Sequence, residues 1–324
     1  MKAVVVRQWG EPDVLKLEEI PSPVAGPGEV LIGLRAAGIN PVETYIRSGV
    51  YPQLPDLPCV LGGDGAGVVE AVGDGVEGFA VGNRVYVAGI LGGKITGCYA
   101  EKVVRPANEV FTLPEKVSFA QGAALGVPYA TAFYALFNRA AAKPGETVFI
   151  HGASGAVGLA AVQLARAHGM TVIGSAGTDD GMKLVLSQGA QHAVDHRKDG
   201  YLHSVQALCG ADGPHVILEM LANVNLQNDL DIAAEFGRVV IIGNRGTIEL
   251  NARSAMMNEL DILGVALWNC ADDDLRLIHK GLIAGLENGS LNPVIKTEMP
   301  LADAALAHAA VLQPGALGKI VLIP

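Results

Sequence analysis

The chain has 324 residues and a formal net charge of −10; half of its residues are hydrophobic and 17% are charged. Its mean hydropathy is +0.34. Such a chain buries a large core, which excludes disorder, and an acidic chain without a Lys/Arg cluster is a poor nucleic-acid binder. The length suits about two domains. Cys59, Cys98, Cys209 and Cys270 form no C-x-x-C pair, which predicts free thiols in a reducing compartment. The start MKAVVVRQWGEPDV has too short an apolar run for a signal peptide. No stretch reaches the ~18 apolar residues of a membrane span. A soluble cytoplasmic protein is expected.

Residues 1 to about 120 read as all-β, with short strands at 2–7, 29–36, 67–72, 84–87 and 99–104. In 29–36, Val30, Ile32 and Leu34 alternate with Leu31, Gly33 and Arg35, the pattern of a half-buried strand. Gly- and Pro-rich turns separate the strands, as in a barrel or sandwich. The pattern changes at Leu113-Pro114-Glu115. Ser118 and Gln121 have capping-box spacing, so a helix starts at Phe119. Pro128 is expected to break it, and 129–142 to continue as a second helix.

Thr147 to Gly169 reads TVFIHGASGAVGLAAVQLARAHG: a short β-forming run, Gly152, Gly155 and Gly158, then an Ala/Leu-rich helix closed by Gly169. Strand, glycine turn and helix together predict a dinucleotide site, with the phosphates on the helix N-terminus. G-A-S-G lacks the nucleophile-elbow spacing, so Ser154 reads as a phosphate donor and His151 as structural. Strands are then expected at 171–174, 192–195, 215–221, 238–243 and 262–267, with helices between them, including 226–236. Six strands alternating with helices imply a parallel, doubly wound sheet. An acidic helix at 272–287, a helix at 302–313 and a strand at 319–323 follow; this tail has too little core to stand alone and should return to the first domain. Asp272, Asp273 and Asp274 read as a helix N-terminus and not as a metal site. The domains are therefore 1–122, 123–267 and a returning 268–324.

INPVETYIRSG (39–49), VPYATAFYAL (127–136), HGASGAVGLAAVQLARAHG (151–169), EMLANVNL (219–226) and GRVVIIGNRGTIE (237–249) resemble, in order, the zeta-crystallin-like quinone oxidoreductases of the medium-chain dehydrogenase/reductase superfamily. The resemblance implies an α/β chain made of a GroES-like β-barrel catalytic domain and a Rossmann domain, reducing quinones with NADPH. Zinc-dependent superfamily members carry a ligand cysteine near the place of Asn40 and a ligand histidine in a Gly-His-Glu motif. Here that motif reads Gly62-Gly63-Asp64, and the four-cysteine lobe of a structural zinc is missing. No metal is therefore expected. An acceptor that takes hydride without a Lewis acid, a quinone or conjugated carbonyl, fits best.

The end of the second Rossmann strand, Ile173-Gly174-Ser175-Ala176-Gly177, lacks the carboxylate that NAD-binding folds place there, which favours NADPH over NADH. His196 and Arg197 can serve its 2′-phosphate, with Lys183 a weaker candidate and Asp179 and Asp180 opposing. By resemblance, Ser154, Gly155, Ala156 and Val157 line the pyrophosphate and Gly177 lies near the adenosine. Asn225, Ile242, Gly243, Asn244 and Arg245 face the cofactor, and Val265, Ala266 and Leu267 run beside the nicotinamide. Asn40, Tyr45 and Thr131 match catalytic positions near the nicotinamide, with Tyr45 also touching the cofactor. The reacting pocket is expected in the cleft between domains. Asn40 is expected to orient or polarise an acceptor carbonyl. Neither it nor Tyr45 is a ready general acid at neutral pH, so the proton comes from water or Tyr45.

Two other readings stay open: a zinc-free enoyl or alkenal reductase, and a cofactor-binding structural protein with little turnover. The apolar 262–268 run would leave an unprotected sheet edge, which predicts antiparallel pairing with a second subunit in a homodimer or homotetramer, unless 269–274 fold back over it.

Overall fold

The computed structural model describes residues 1–88, 97–210 and 212–324. In chain order the elements are β1 (Lys2–Val6), β2 (Lys16–Glu19), β3 (Glu29–Gly38), α1 (Pro41–Arg47), β4 (Cys59–Val60), β5 (Asp64–Val72), β6 (Arg84–Ala88), β7 (Lys102–Pro106), β8 (Val110–Thr112), α2 (Phe119–Gly122) and α3 (Gly126–Phe133). Then β9 (Thr147–Ile150), α4 (Ala156–Ala167), β10 (Thr171–Ala176), α5 (Asp179–Ser187), β11 (His192–Asp195), α6 (Tyr201–Cys209), β12 (Val216–Glu219), α7 (Ala222–Ile232), β13 (Arg238–Ile241), α8 (Ala252–Met257) and β14 (Asp261–Gly264) alternate. The chain ends with α9 (Asp272–Asn288), β15 (Ile295–Pro300), α10 (Ala304–Val311) and β16 (Lys319–Ile323). Two compact units result: Met1–Val127 with Asp272–Gln313 and Gly318–Pro324, and Pro128–Ala271 with Pro314–Leu317.

In the first unit β3 is the organising strand. It pairs antiparallel with β5, β7 and β16, in a seven-stranded sheet that also holds β15, β6 and β8. Val30, Ile32 and Leu34 are buried, as their alternation requires. They share a core with Val4 and Val69 and with Ile320 of the returning tail. A three-stranded sheet, β2-β1-β4, completes the unit.

The second unit is a parallel sheet in the order β11-β10-β9-β12-β13-β14. Because β10 and β12 flank β9 on opposite sides, the chain reverses direction across the sheet at β9, where loops at the carboxyl ends part and leave room for a ligand. Phe149, Ile173, Ile217, Leu230 and Val239 fill one layer against the helices.

Four local expectations need correction. The stretch read as all-β contains α1: Asn40 is its N-cap, Pro41 its first residue and Glu43 closes a capping box. Pro128 does not break a helix; it sits in the first turn of α3, where its missing N–H has no intrahelical partner to lose. The helix expected at 226–236 starts earlier, at Ala222, and ends at Ile232. The sixth parallel strand ends at Gly264, not Leu267: Val265 makes one more ladder bond to Ile241 O (2.9 Å), and Leu267–Asn269 then turn as a short 3-10 helix.

Candidate active site

In the second unit every predicted cofactor residue follows the carboxyl end of a sheet strand. After β9, Gly152 takes a φ of +54°, the left-handed conformation that suits glycine. A Cβ on Gly158 would lie 2.6 Å from Ala153 Cα, so only glycine lets α4 pack this closely. Ser175 fixes the turn from β10, its carbonyl accepting from Ala153 N–H (2.8 Å) and its hydroxyl from Gly152 N–H (3.2 Å). Gly155 is the N-cap of α4 and supplies no side-chain cap; Ala156 and Val157 open the helix. Their N–H groups, at the positive end of the helix dipole, suit a pyrophosphate. Ser154 belongs to the same turn, its hydroxyl 3.2 Å from where a Cβ on Gly181 in the first turn of α5 would stand.

After β10, a Cβ on Gly177 would lie 2.8 Å from His196 Nε2, and Arg197 Cδ is 3.6 Å from the same point. The three predicted adenosine-end residues therefore meet. Arg197 is held by Asp195, through Nε (3.2 Å) and NH2 (3.4 Å). Desolvation lowers the His196 pKa, partly offset by Asp195. His196 is therefore a neutral hydrogen-bonding group, and Arg197 is the permanent cation.

Glu219, at the end of β12, was not singled out by the sequence, yet it organises the next loops. Its carbonyl accepts from Ile242 N–H (2.8 Å) and Gly243 N–H (3.2 Å). Its Oε1 accepts from Leu221 N–H and from Asn225 Nδ2 (3.2 Å). A Cβ on Gly243 would stand 2.2 Å from Met220 O, so this crossing also requires glycine. Asn244 bonds Gly246 O (2.8 Å), and Arg245 N–H bonds Asn223 Oδ1 (2.9 Å). Val265, Ala266 and Leu267 are half-buried where the chain leaves β14. Thr131 is buried in α3.

Beneath these loops His151 Nε2 lies 2.7 Å from Asp229 Oδ1 and 3.3 Å from Glu219 Oε2, all three side chains buried. Among the described residues, this is the group of donor atoms close enough to hold a metal ion. Burial pushes Glu219 and Asp229 each up to about 7 and lowers His151, so burial favours protonated carboxyls beside a neutral imidazole over three charged groups. Residues 68 and 78 positions apart carry no spacing signal, so only the fold reveals the cluster.

The first unit holds a second buried polar cluster, around Asn40. Its Nδ2 donates to Asp64 Oδ2 (2.9 Å) and Glu43 Oε1 (3.1 Å), and its Oδ1 accepts from Lys319 Nζ. An ammonium cannot accept and a carboxylate cannot donate, so the amide orientation is fixed. Lys319 Nζ also donates to Asp64 Oδ2 (2.8 Å), and Asp64 Oδ1 accepts from Val127 N–H (2.7 Å) at the start of α3. Glu43 receives Asn40 N–H, Gly63 N–H (3.1 Å) and Tyr99 O–H (3.3 Å), besides the Asn40 side chain. Burial pushes Glu43 up to about 7, opposed by Lys319 and these donors. The expectation that Asn40 polarises an acceptor carbonyl is not met by this geometry, because both amide hydrogens are committed to carboxylates. Tyr45, half-buried, projects from the helix that Asn40 caps.

Two family models match: an alcohol dehydrogenase GroES-like domain over residues 26–115 and a zinc-binding dehydrogenase over residues 156–279. The human quinone oxidoreductase is 46% identical over 325 aligned residues, covering 100% of this chain and 98% of that protein. A solved NAD-dependent alcohol dehydrogenase superposes with a TM-score of 0.93 at 31% identity, covering both chains fully. The Escherichia coli quinone oxidoreductase complexed with NADPH superposes with a TM-score of 0.88 at 28% identity, again over both whole chains. Despite the second model's name, the residues do not fit zinc at the superfamily position: Gly63 has no ligand atom, and Asn40 and Asp64 are bound to an ammonium. With nearly half of its residues identical to the human enzyme from end to end, the chain belongs to the zeta-crystallin-like quinone oxidoreductase family of the medium-chain dehydrogenase/reductase superfamily.

Proposed function

We propose that the protein is an NADPH-dependent quinone reductase that uses no metal at its acceptor site. The observation that carries this reading is the full-length identity with the human quinone oxidoreductase. The uncapped N-terminus of α4, the Gly177–His196–Arg197 corner and the Glu219-held loops fit a dinucleotide phosphate. When bound, NADPH supplies a hydride; the quinone takes it with one proton and leaves as hydroquinone. Helix α4 and Ser154 hold the pyrophosphate, and Arg197 holds the 2′-phosphate. Tyr45 donates a hydrogen bond to the acceptor oxygen, Thr131 lies on the nicotinamide side, and Asn40 acts by holding α1. Water resupplies the proton. A panel of quinones and enals scored by NADPH oxidation tests the reading: turnover with quinones supports it, and turnover with enals alone replaces it with an alkenal reductase.

Specificity for NADPH rests on Arg197 more than His196. Arg197→Ala should weaken NADPH binding about tenfold while leaving NADH unchanged, because a charge-assisted contact is worth ~1.5–3 kcal/mol and Asp195 already shares the guanidinium. Equal weakening of both cofactors overturns the assignment; titration of cofactor fluorescence measures it.

The working unit in this reading is a homodimer joined at β14. That strand ends the parallel sheet, and Ile262 on it is 42% exposed, with Met256 and Met257 of neighbouring α8 also exposed. Gly264 O on this edge accepts from Arg139 Nε (3.0 Å), but an apolar strand edge with no further strand beside it among the described residues invites a second copy of itself. Sedimentation of wild type and Ile262→Lys tests this; a monomeric wild type at micromolar concentration ends it. A reducing, cytoplasmic location accords with four cysteines that form no disulfide. No helix among the described residues is long and apolar enough to cross a membrane.

A further inference from the structure

We propose that Lys319 is a positioning residue for the acceptor chemistry: its buried ammonium, joined to Asn40 and Asp64, holds the amino-terminal ends of α1 and α3 in place. This rests on the reading that Tyr45 of α1 faces the acceptor. Lys319 lies 279 residues from Asn40 in sequence, on the last strand, and its side chain is 1% exposed. The fold makes room for it. A Cβ on Gly38 would stand 2.7 Å from Lys319 Cε and 2.0 Å from Ala123 O, so β3 must carry glycine where the lysine passes. Gly126 plays the same part for the carboxylate: a Cβ there would meet Asp64 Oδ1 at 2.4 Å.

Each bond in the hub has a mechanical consequence. Asn40 is the N-cap of α1, and Lys319 on its Oδ1 sets the amide so that both hydrogens face carboxylates. Glu43 completes the capping box and ties α1 to Gly63. Asp64 spends one oxygen on Lys319 and Asn40 and the other on Val127 N–H, so the same carboxylate anchors the start of α3, the helix that carries Thr131. The two helices bearing Tyr45 and Thr131 thus begin on one ion-paired hub. Without the ammonium, Asp64 and Glu43 would be two buried carboxylates facing only neutral donors, and Asn40 Oδ1 would lose its partner; one or the other side chain must turn, and α1 with it. Small displacements of positioning groups cost large factors in rate.

The test uses the full-length enzyme in two variants, Lys319→Met and Lys319→Met/Asp64→Asn. The double variant removes both charges of the pair and keeps an oxygen for Val127 N–H, so thermal stability returns to within a few degrees of wild type. Positioning predicts that kcat with a quinone stays down by about tenfold or more in the double variant, with NADPH affinity within twofold of wild type. Amide hydrogen exchange reads the hub without turnover: the 42–47 amides should exchange faster in the double variant although its stability has returned. Recovery of kcat together with stability reduces Lys319 to a structural ion pair and overturns the proposal, as does unchanged exchange in 42–47. A wild type inactive with quinones but showing the exchange difference would reject the quinone reading and leave the hub standing.

Discussion

The two buried polar clusters of this chain solve one problem in different ways. Around Asn40 a lysine is buried with two carboxylates, and Asp64 has donors on both oxygens. Around His151 no lysine or arginine among the described residues is paired with the carboxylates; the imidazole, whose pKa burial lowers, lies 2.7 Å from Asp229 Oδ1 and 3.3 Å from Glu219 Oε2. A cation beside a buried carboxylate opposes the desolvation that otherwise favours its protonated form. The barrel cluster is therefore tied together by an ammonium and the cluster under the cofactor loops is not, although burial pushes Glu43 in the first and Glu219 in the second alike up to about 7.

Removing the ammonium should have the largest effect. Lys319→Met leaves carboxylates buried without their cation and should cost about 3–5 kcal/mol of stability, read by urea denaturation. A loss below about 1 kcal/mol would mean that water or protonation replaces the lysine easily. Glu219→Gln should cost less, about 1 kcal/mol, since the amide oxygen still accepts from Leu221 and Asn225 and its NH2 group takes the place of the carboxyl proton. Its signature is in the pH dependence. The folded Glu219 carboxyl is raised from 4.5 to about 7, so its contribution is full below pH 4.5 and lost as pH rises through 7. Wild type should therefore lose stability across that window, and Glu219→Gln should lose less; parallel melting curves of the two proteins would contradict a protonated cluster.

His279 sharpens the comparison from the acid side. It stacks on Phe111 with ring centroids 3.8 Å apart, bonds Tyr86 O–H (2.8 Å), and burial drives its pKa down from 6.5 to about 3. The folded state thus refuses a proton that the unfolded state accepts, so stability is full above pH 6.5 and lost as pH falls toward 3. His279→Gln, which keeps a partner for Tyr86, should remove roughly 1.5 kcal/mol of the loss between about pH 6.5 and 5. An unchanged acid limb in thermal melts would show that His279 takes up its proton while folded.

What the sequence disclosed follows from the range of the forces involved. The Gly152–Gly155–Gly158 turn and the alternation of Val30, Ile32 and Leu34 are local patterns, and both were legible. Helix α1 was equally local, since Asn40, Pro41 and Glu43 spell a capped N-terminus, but the surrounding β-pattern masked it. The end of β14 was misread because Val265 to Leu267 are as apolar as the strand before them; the backbone leaves the sheet without a change in composition. The clusters were invisible for a different reason. Lys319 meets Asn40, and His151 meets Asp229, only after the sheets have formed. No spacing rule joins a lysine in the last strand to an asparagine before the first helix.

The most direct test of the central claim is NADPH-dependent reduction of a simple benzoquinone by protein dialysed exhaustively against a zinc chelator. The account predicts turnover equal to that of untreated protein and unchanged by added zinc. Activity lost on chelation and restored by stoichiometric zinc would contradict it.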